Sequence, residues 1–541
     1  MPRHQRVGPR TTLGVLVVAM LSLLAWSTGA SATPGVGGTS GTQSQSSSSG
    51  LSGSAIDASG VSLDGTGSSF AAPALLTWVN DVGNAPYSLQ MVYTSSSSGQ
   101  GRYEFTNQTT DFAVSDIGYV GNTDTTPPSF PFNFIPITAG GIAFMYNVPG
   151  VTKTLQLTSY TACALLTGGI KNWDDPALAT ANPGVSLPNL AVVPVTESDS
   201  AGTNFVLEEW CIDEQPGLWT AFVNQQDSQS GGPSDGVTLS TTNPESNWPG
   251  IQGGLDDQST TAVAGDVATN AGAIGAVQVS YATGEPGFSG SDPSKSVALV
   301  QNASGDYTGP TPVDVASALA YATQLPDGTH KLDFNGLGPH VYNPSTYSYL
   351  LTPTTGWSAA KGGVMSAFVN YALTLGQQKA PSIGYASLGL SLEQYGINAV
   401  TTNVPGSVAP TAAEKAAYAC GDLTPPEVLA GQSTPTCGVV NQTAAPPPPN
   451  AGTASGTAST VASTAAVGAK STAKGSTGIV TSSSSGSNNP GVSPFVSLSG
   501  PNGLPNTGSN PLPLTVLGTS LAMIGWIGRR RILRRRRTVK P

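Results

Sequence analysis

The sequence predicts an α/β protein of two or more packed units with a candidate anion site, and three observations carry that prediction. Between about residues 61 and 402, strand-like hydrophobic runs alternate with helix-like runs and turn residues, the pattern of an α/β fold with largely parallel sheets. At 541 residues the chain is too long for one core, so two or more packed units with unstructured tails are expected. Three times, a strand-like run ends on small, hydroxyl-rich residues and a helix-like run begins. Such breaks present free backbone N–H groups and the positive end of a helix dipole, the elements of an anion site.

Taken in order, the chain opens with Arg3, Arg6 and Arg10 ahead of an apolar run from Leu13 to Trp26, and Ala30-Ser31-Ala32 supplies small residues for cleavage. This pattern predicts a secretory signal over 1–32, its apolar run short for a spanning helix. No cysteine near the cut could accept a lipid. Residues 33–60, rich in Gly, Ser and Thr, form a flexible leader.

The first break is Gly65-Thr66-Gly67-Ser68-Ser69-Phe70-Ala71-Ala72-Pro73. Leu75, Val79 and Val82 then share one helical face, and Pro73 suits a first turn. The second follows the strand-like Leu89–Thr94 with Ser95-Ser96-Ser97-Ser98-Gly99-Gln100-Gly101-Arg102, and Asp116 closes the segment after Asp111–Ser115. The third follows Leu190–Val195 with Thr196-Glu197-Ser198-Asp199-Ser200-Ala201-Gly202-Thr203-Asn204.

Further strands are expected over 132–137, 141–146, 272–277 and 347–351. Further helices are expected over 160–167, 205–210, 261–270, 313–324 and 364–376. If the three breaks converge at carboxyl ends of strands, hydroxyls and N–H groups would surround a tetrahedral oxyanion without a cationic cluster. Ser, Thr and Asn also cap ordinary helices, so composition alone does not separate a cap from a ligand contact.

Residues 403–437 carry a short helix-like piece, 411–419, ahead of a cysteine-closed loop. Residues 438–503 are a low-complexity spacer with Pro446–Pro449 at its start, unable to bury enough apolar area to fold. Leu504-Pro505-Asn506-Thr507-Gly508 then precedes an apolar run from Leu512 to Ile527 and a basic tail from Arg529 to Lys540. That order resembles the LPxTG sorting signal of Gram-positive surface proteins. The resemblance implies cleavage by sortase between Thr507 and Gly508, attachment of Thr507 to peptidoglycan, and a cell-wall location on the outside of a Gram-positive bacterium. A plain C-terminal membrane anchor would equally hold the protein at the surface.

Of 21 basic residues, three precede the signal cut and eight follow Thr507, leaving ten beside 31 acids, a mature net charge near −21. Such a surface excludes nucleic acid as a natural partner. The four cysteines allow three pairings; Cys163–Cys211 and Cys420–Cys437 are favoured, the second closing a short loop. No CxxC spacing supports a metal, and no cofactor is expected.

The wording of the breaks carries a family resemblance. Gly65–Pro73 matches the GAGATFPAP opening of phosphate-binding proteins of the phosphate-specific ABC transporter. Thr109-Thr110-Asp111-Phe112-Ala113-Val114-Ser115-Asp116 matches their TVDFGASD, and Gly168–Leu178 with Asn182-Pro183-Gly184 matches their GKIxxWDDxxI and NPG. Asp199-Ser200-Ala201-Gly202-Thr203 matches DGSGT, and Tyr385-Ala386-Ser387-Leu388 matches YASL. The likeness spans roughly 61–402 and implies a two-domain, type II Venus-flytrap fold of the periplasmic-binding-protein kind. One lobe would comprise about 61–139 with 341–402, and the other about 140–340.

The resemblance also implies phosphate contacts at Ser69, Phe70, Ser98, Asp116, Ala201, Gly202 and Thr203. Asp116 would accept the proton of hydrogen phosphate, which sulfate lacks. Glu197 falls where the family has an arginine, and an acid there opposes a dianion. Arg102, the only arginine left after processing, would replace that charge, pair with Glu197 or Asp116, or point outward.

The expected function is therefore a surface-attached solute-binding protein that captures inorganic phosphate, with an ABC permease as the partner implied. The alternative is an adhesin or wall component built on the same scaffold. Neither is an enzyme: no Ser-His-Asp arrangement or metal-ligand spacing stands out.

Overall fold

The computed structural model describes residues 60–120, 126–228, 239–288 and 292–440. The expected signal, the leader up to residue 59, most of the spacer, and the whole sorting signal with Thr507 and Gly508 lie outside the described residues. Among the described residues, no helix is long and apolar enough to cross a membrane.

The chain runs β1 (Ser62–Gly67), α1 (Ala72–Gly83), β2 (Gln90–Ser95), α2 (Ser98–Thr106), β3 (Phe112–Ser115) and β4 (Phe132–Asn147). It continues through β5 (Gln156–Leu157), α3 (Ser159–Leu166), α4 (Pro176–Ala181), β6 (Val193–Glu197), α5 (Gly202–Glu214) and α6 (Pro216–Asp227). Next come β7 (Leu255–Asp257), α7 (Thr260–Thr269), β8 (Ala273–Gln278), α8 (Val279–Gly284), β9 (Lys295–Val297), β10 (Leu299–Gln301) and β11 (Tyr307–Thr308). The remainder is α9 (Pro312–Leu319), β12 (Thr323–Gln324), β13 (His330–Lys331), β14 (Ser345–Pro353), α10 (Ala359–Ala372), α11 (Leu375–Lys379), α12 (Leu390–Asn403), α13 (Ala412–Ala416) and α14 (Pro425–Leu429).

The main sheet has the order β2-β1-β3-β14-β4-β8-β6-β7, with β9 also pairing β4. Strands β1, β2 and β3 are mutually parallel, as are β6, β7 and β8. Between these sets, β14 is antiparallel to β3 and β4, and β4 is antiparallel to β8 and β9. The sheet is therefore mixed rather than largely parallel. The strand expected over 347–351 is present as β14, but the alternation of strand and helix does not reveal that it returns after a long excursion and inserts antiparallel between β3 and β4.

The two strand-like runs at 132–137 and 141–146 are one strand. Its stretch Phe132–Gly141 pairs with β14, and Ile142–Asn147 pairs with β8, so a single fully buried strand joins both halves of the sheet. Helix α9 stops at Leu319, short of the expected 324, because Thr323–Gln324 joins a two-stranded ribbon with His330–Lys331.

One large apolar cluster contains Trp78, Phe112, Leu350 and Phe368 on one side of β4, and Trp173, Trp210 and Trp219 on the other. A second cluster gathers Val195, Val263, Val267 and Val277 under α7. A disulfide joins Cys163 in α3 to Cys211 in α5, and another joins Cys420 to Cys437. Residues 403–440 pack on the body: Ala419 N–H donates to Glu393 at 2.8 Å, and Ser391 N–H donates to Asp422 at 2.8 Å.

Candidate functional site

The carboxyl ends of β1, β2, β3, β6 and β7 all lead into this site. Helix α2 approaches β1 closely at glycine: a Cβ on Gly101 would lie 2.6 Å from the Gly67 Cα, and Gly67 itself has φ +135°. Side chains at either position would hold the two elements apart. That approach brings Ser68 and Ser98, at the starts of their respective turns, onto one carboxylate.

The carboxylate is Asp116, buried directly after β3. Ser68 Oγ donates to it at 2.7 and 2.8 Å, Ser98 Oγ at 3.0 Å and Ser348 Oγ at 2.6 Å. Its own N–H donates to Ser98 Oγ at 3.0 Å. Burial raises its pKa, opposed by the three serine hydroxyls and then by the charge of Arg102.

The turn ahead of α1 is fixed from behind. Tyr93 Oη donates to the Ser68 carbonyl at 2.9 Å, Tyr281 Oη to the Ser69 carbonyl at 2.7 Å, and Tyr385 Oη to the Phe70 carbonyl at 2.5 Å. With three successive carbonyls held by phenols, the peptide planes of this turn have defined orientations.

The third turn seats against the first two. Gly99 N–H donates to the Ser200 carbonyl at 2.8 Å. A Cβ on Gly202 would lie 2.7 Å from both Asp116 Cβ and Ser98 Oγ, so only glycine permits this contact. Helix α5 starts at Gly202, and its N-cap Ala201 provides no side-chain cap; Asp116 thus lies at the positive end of α5. The Ala201 N–H is already engaged by the Asp199 and Ser246 carbonyls at 2.8 and 2.9 Å. Thr203 is buried in the first turn of α5.

Glu197, the last residue of β6, is buried beside this contact. Thr260 Oγ1 donates to its Oε1 at 2.9 Å and Ser69 Oγ lies at 3.4 Å, while Oε2 has no hydrogen-bond partner among the described residues. Burial, followed by the charge of Asp199, pushes Glu197 up to about 8, and burial pushes Asp199 up to about 7. A space of about 10 Å³ next to Glu197 is lined by Leu166, Asn204, Leu207 and Trp248, on the core side and away from Asp116 and its serines.

Arg102 points inward from α2. It is fully buried, donates through Nη1 to Ser115 Oγ at 2.9 Å, and lies 6.0 Å from the Tyr119 ring.

Of the sequence-predicted residues, Ser98, Asp116 and Gly202 meet at this junction, Ser69 faces Glu197 and Thr260, Phe70, Ala201 and Thr203 are their chain neighbours, and Arg102 turns inward to Ser115. Sequence reasoning passed over Ser348 and Thr260. Ser348 shares its strand with Ser345, Thr346 and Thr352, and no local feature sets it apart from them. Thr260 belongs to a fourth hydroxyl-rich break, Ser259-Thr260-Thr261, opening α7 after β7, and the rule that found the other three would have found it. Among the described residues no His, Cys, Asp and Glu cluster could hold a metal.

A family model described as a PBP superfamily domain matches residues 32–374. The phosphate-binding protein PstS of Xylella fastidiosa is 26% identical over 341 residues, covering 62% of this chain and 84% of that protein. PstS 2 of Mycobacterium tuberculosis is 32% identical over 132 residues, 24% of this chain and 35% of that protein. A solved phosphate-binding protein from Stenotrophomonas maltophilia aligns over 65% of this chain and 100% of its own, with 15% identity and a TM-score of 0.44. With a mixed α/β sheet shared between two halves and a family model matching well over half its length, the chain belongs to the PBP superfamily.

Proposed function

We propose that this protein is a secreted, surface-held solute receptor that captures inorganic phosphate in its proton-carrying form and performs no chemistry on it. The observation carrying this reading is the convergence of the α1, α2 and α5 starts on Asp116, a buried carboxylate ringed by three serine hydroxyls. The PstS names of its relatives support it. Hydrogen phosphate donates its proton to Asp116 and accepts from Ser69, Ser98, Thr203 and the N–H groups of Phe70 and Gly202. Sulfate, without a proton, faces Asp116 unpaired.

The lobes we assign are about 61–139 with 341–402, and about 140–340, hinged on β4 and β14. Entry of the anion requires the Gly99–Ser200 contact to part, followed by closure around the ligand. Glu197 in its neutral form is a hydrogen-bond donor, so the site neutralises charge with a protonated acid where a guanidinium is expected from the resemblance. Attachment of Thr507 to peptidoglycan by sortase and delivery to an ABC permease complete the reading.

Calorimetric titration of phosphate and sulfate near neutral pH tests it. Saturable phosphate heat without sulfate heat, lost in Asp116→Asn, is expected; heat from neither anion refutes capture. A second reading, a wall component or adhesin on a binding-protein scaffold, is favoured by one observation: Asp116 and Glu197 are both buried at the junction, where Gly202 fills the gap. Absence of phosphate heat would leave that reading standing.

A further inference from the structure

A cavity of about 390 Å³ lies away from the anion junction, between α9, the segment leading into α12, and the disulfide-closed extension after residue 403. Its walls are mostly aliphatic, with Ala316 and Leu319 from α9, Leu388 and Leu392 from the α12 side, and Leu423 and Pro435 from the extension. The volume falls within the range of small-molecule sites, which combine an apolar lining with a few polar groups.

Two polar side chains on the wall stand opposite each other in register across the β12–β13 ribbon, Gln324 and His330. Both amide atoms of Gln324 are buried without a hydrogen-bond partner among the described residues, an arrangement that is unfavourable unless something supplies a donor and an acceptor. Tyr349 Oη accepts from His330 N–H at 3.0 Å and lies 3.3 Å from its Nδ1. A phenol proton donated to Nδ1 leaves the ring proton on Nε2, and burial, lowering His330 to about 3, keeps the ring neutral. Asp422, the carboxylate on the wall, is engaged by the Ser391 N–H and hydroxyl. Among the described residues no cation lines the cavity, so an anion does not suit it.

We propose that this cavity is a second ligand site, independent of the anion junction, which takes a small uncharged molecule with an apolar body and one amide-type polar end paired to Gln324. The extension of residues 403–437, which supplies one wall, is then part of a binding site. The cavity also reaches Ala139, whose carbonyl accepts from Ala386 N–H at 2.9 Å beside the middle of β4, so an occupant touches the strand shared by both halves of the sheet.

The test titrates the full chain with N-phenyl-1-naphthylamine, an uncharged dye that fluoresces in apolar surroundings. Saturable binding of one dye per chain is expected, weakened about ten-fold or more by Ala316→Trp and, separately, by Thr434→Trp on the exposed rim. Leu76→Trp, on the exposed face of α1, leaves the isotherm unchanged. If Ala316→Trp fails to fold, Thr434→Trp still decides. N-methylbenzamide is expected to displace the dye at lower concentration than ethylbenzene, and Gln324→Leu to remove that preference. Unsaturable fluorescence, or an isotherm unaltered in the folded Trp variants, overturns the site. Equal displacement by the two competitors overturns the amide-type end.

Discussion

Glu197→Gln should stabilise the protein at neutral pH and leave it unchanged in acid. A rise from 4.5 to about 8 in the folded state means that the folded chain holds a proton which the unfolded chain releases. Because the native state binds more protons between those values, stability falls as pH rises through that window, and the loss is complete above about 8. At 1.36 kcal/mol per pH unit the full loss is roughly 5 kcal/mol, and roughly 3 kcal/mol has accrued at pH 7. Burial dominates and the like charges of Asp199 and Asp116 add to it, while the hydroxyls of Thr260 and Ser69 act the other way without cancelling the rise. Glutamine keeps the shape and has no proton to lose. Thermal melts of the two proteins should therefore coincide near pH 4, and the variant should lead by about 5 °C at pH 7. Stability curves that run parallel from acid to alkaline pH would refute the argument, because they would show Glu197 ionising in the folded protein as it does in the unfolded chain.

The same proton makes phosphate affinity in the unsubstituted protein fall as pH passes about 8, a loss that Glu197→Gln should reduce in calorimetry across that range. Gly202→Ala places a Cβ 2.7 Å from Asp116 and Ser98 and should force the third turn off its seat; phosphate affinity falling by about ten-fold is the expected readout, and unchanged affinity would mean that the turn does not close there. Replacing Cys163 and Cys211 together by serine opens a loop with a sequence separation of 48 and should lower unfolding stability by roughly 4 kcal/mol in urea titrations. Arg102→Met removes the buried guanidinium that serves Ser115 and should destabilise by about 1–3 kcal/mol, with a still higher Asp116 pKa visible by carboxyl NMR.

Much of this site was legible because its parts are local. A strand end, two or three hydroxyl residues and a helix start lie within ten residues of one another, so the Gly65–Pro73, Ser95–Arg102 and Glu197–Asn204 breaks declare themselves without knowledge of the fold. What escaped is non-local. Ser348 reaches Asp116 only because β14 inserts beside β3, a pairing between residues more than two hundred positions apart. The unity of β4 was hidden because Ala139-Gly140-Gly141 looks like a turn. In the fold those glycines are close-approach positions: a Cβ on Gly140 would meet the Phe70 ring at 2.9 Å, and one on Gly141 would meet Val315 at 2.9 Å. The inward course of Arg102 likewise depends on Gly101 letting α2 sit against β1.

Glu197 and the overall charge then bear on one physical question, namely how a strongly acidic protein could collect an anion. The chain carries a formal charge of −10, and removal of its two basic ends would take it near −21. Its long-range field therefore repels phosphate, and attraction must come from short-range donors at helix starts and from neutral Glu197. Repulsion acts on the encounter and is screened by salt, whereas buried hydrogen bonds set the escape rate and are screened little. The association rate of phosphate should accordingly rise with ionic strength, opposite to a receptor that steers its anion with surface cations, while dissociation changes little. Stopped-flow measurements over a range of sodium chloride concentrations would separate the two. An association rate that falls with salt would show that a local positive field, centred on Arg102, reaches the entrance despite the acidity of the whole chain.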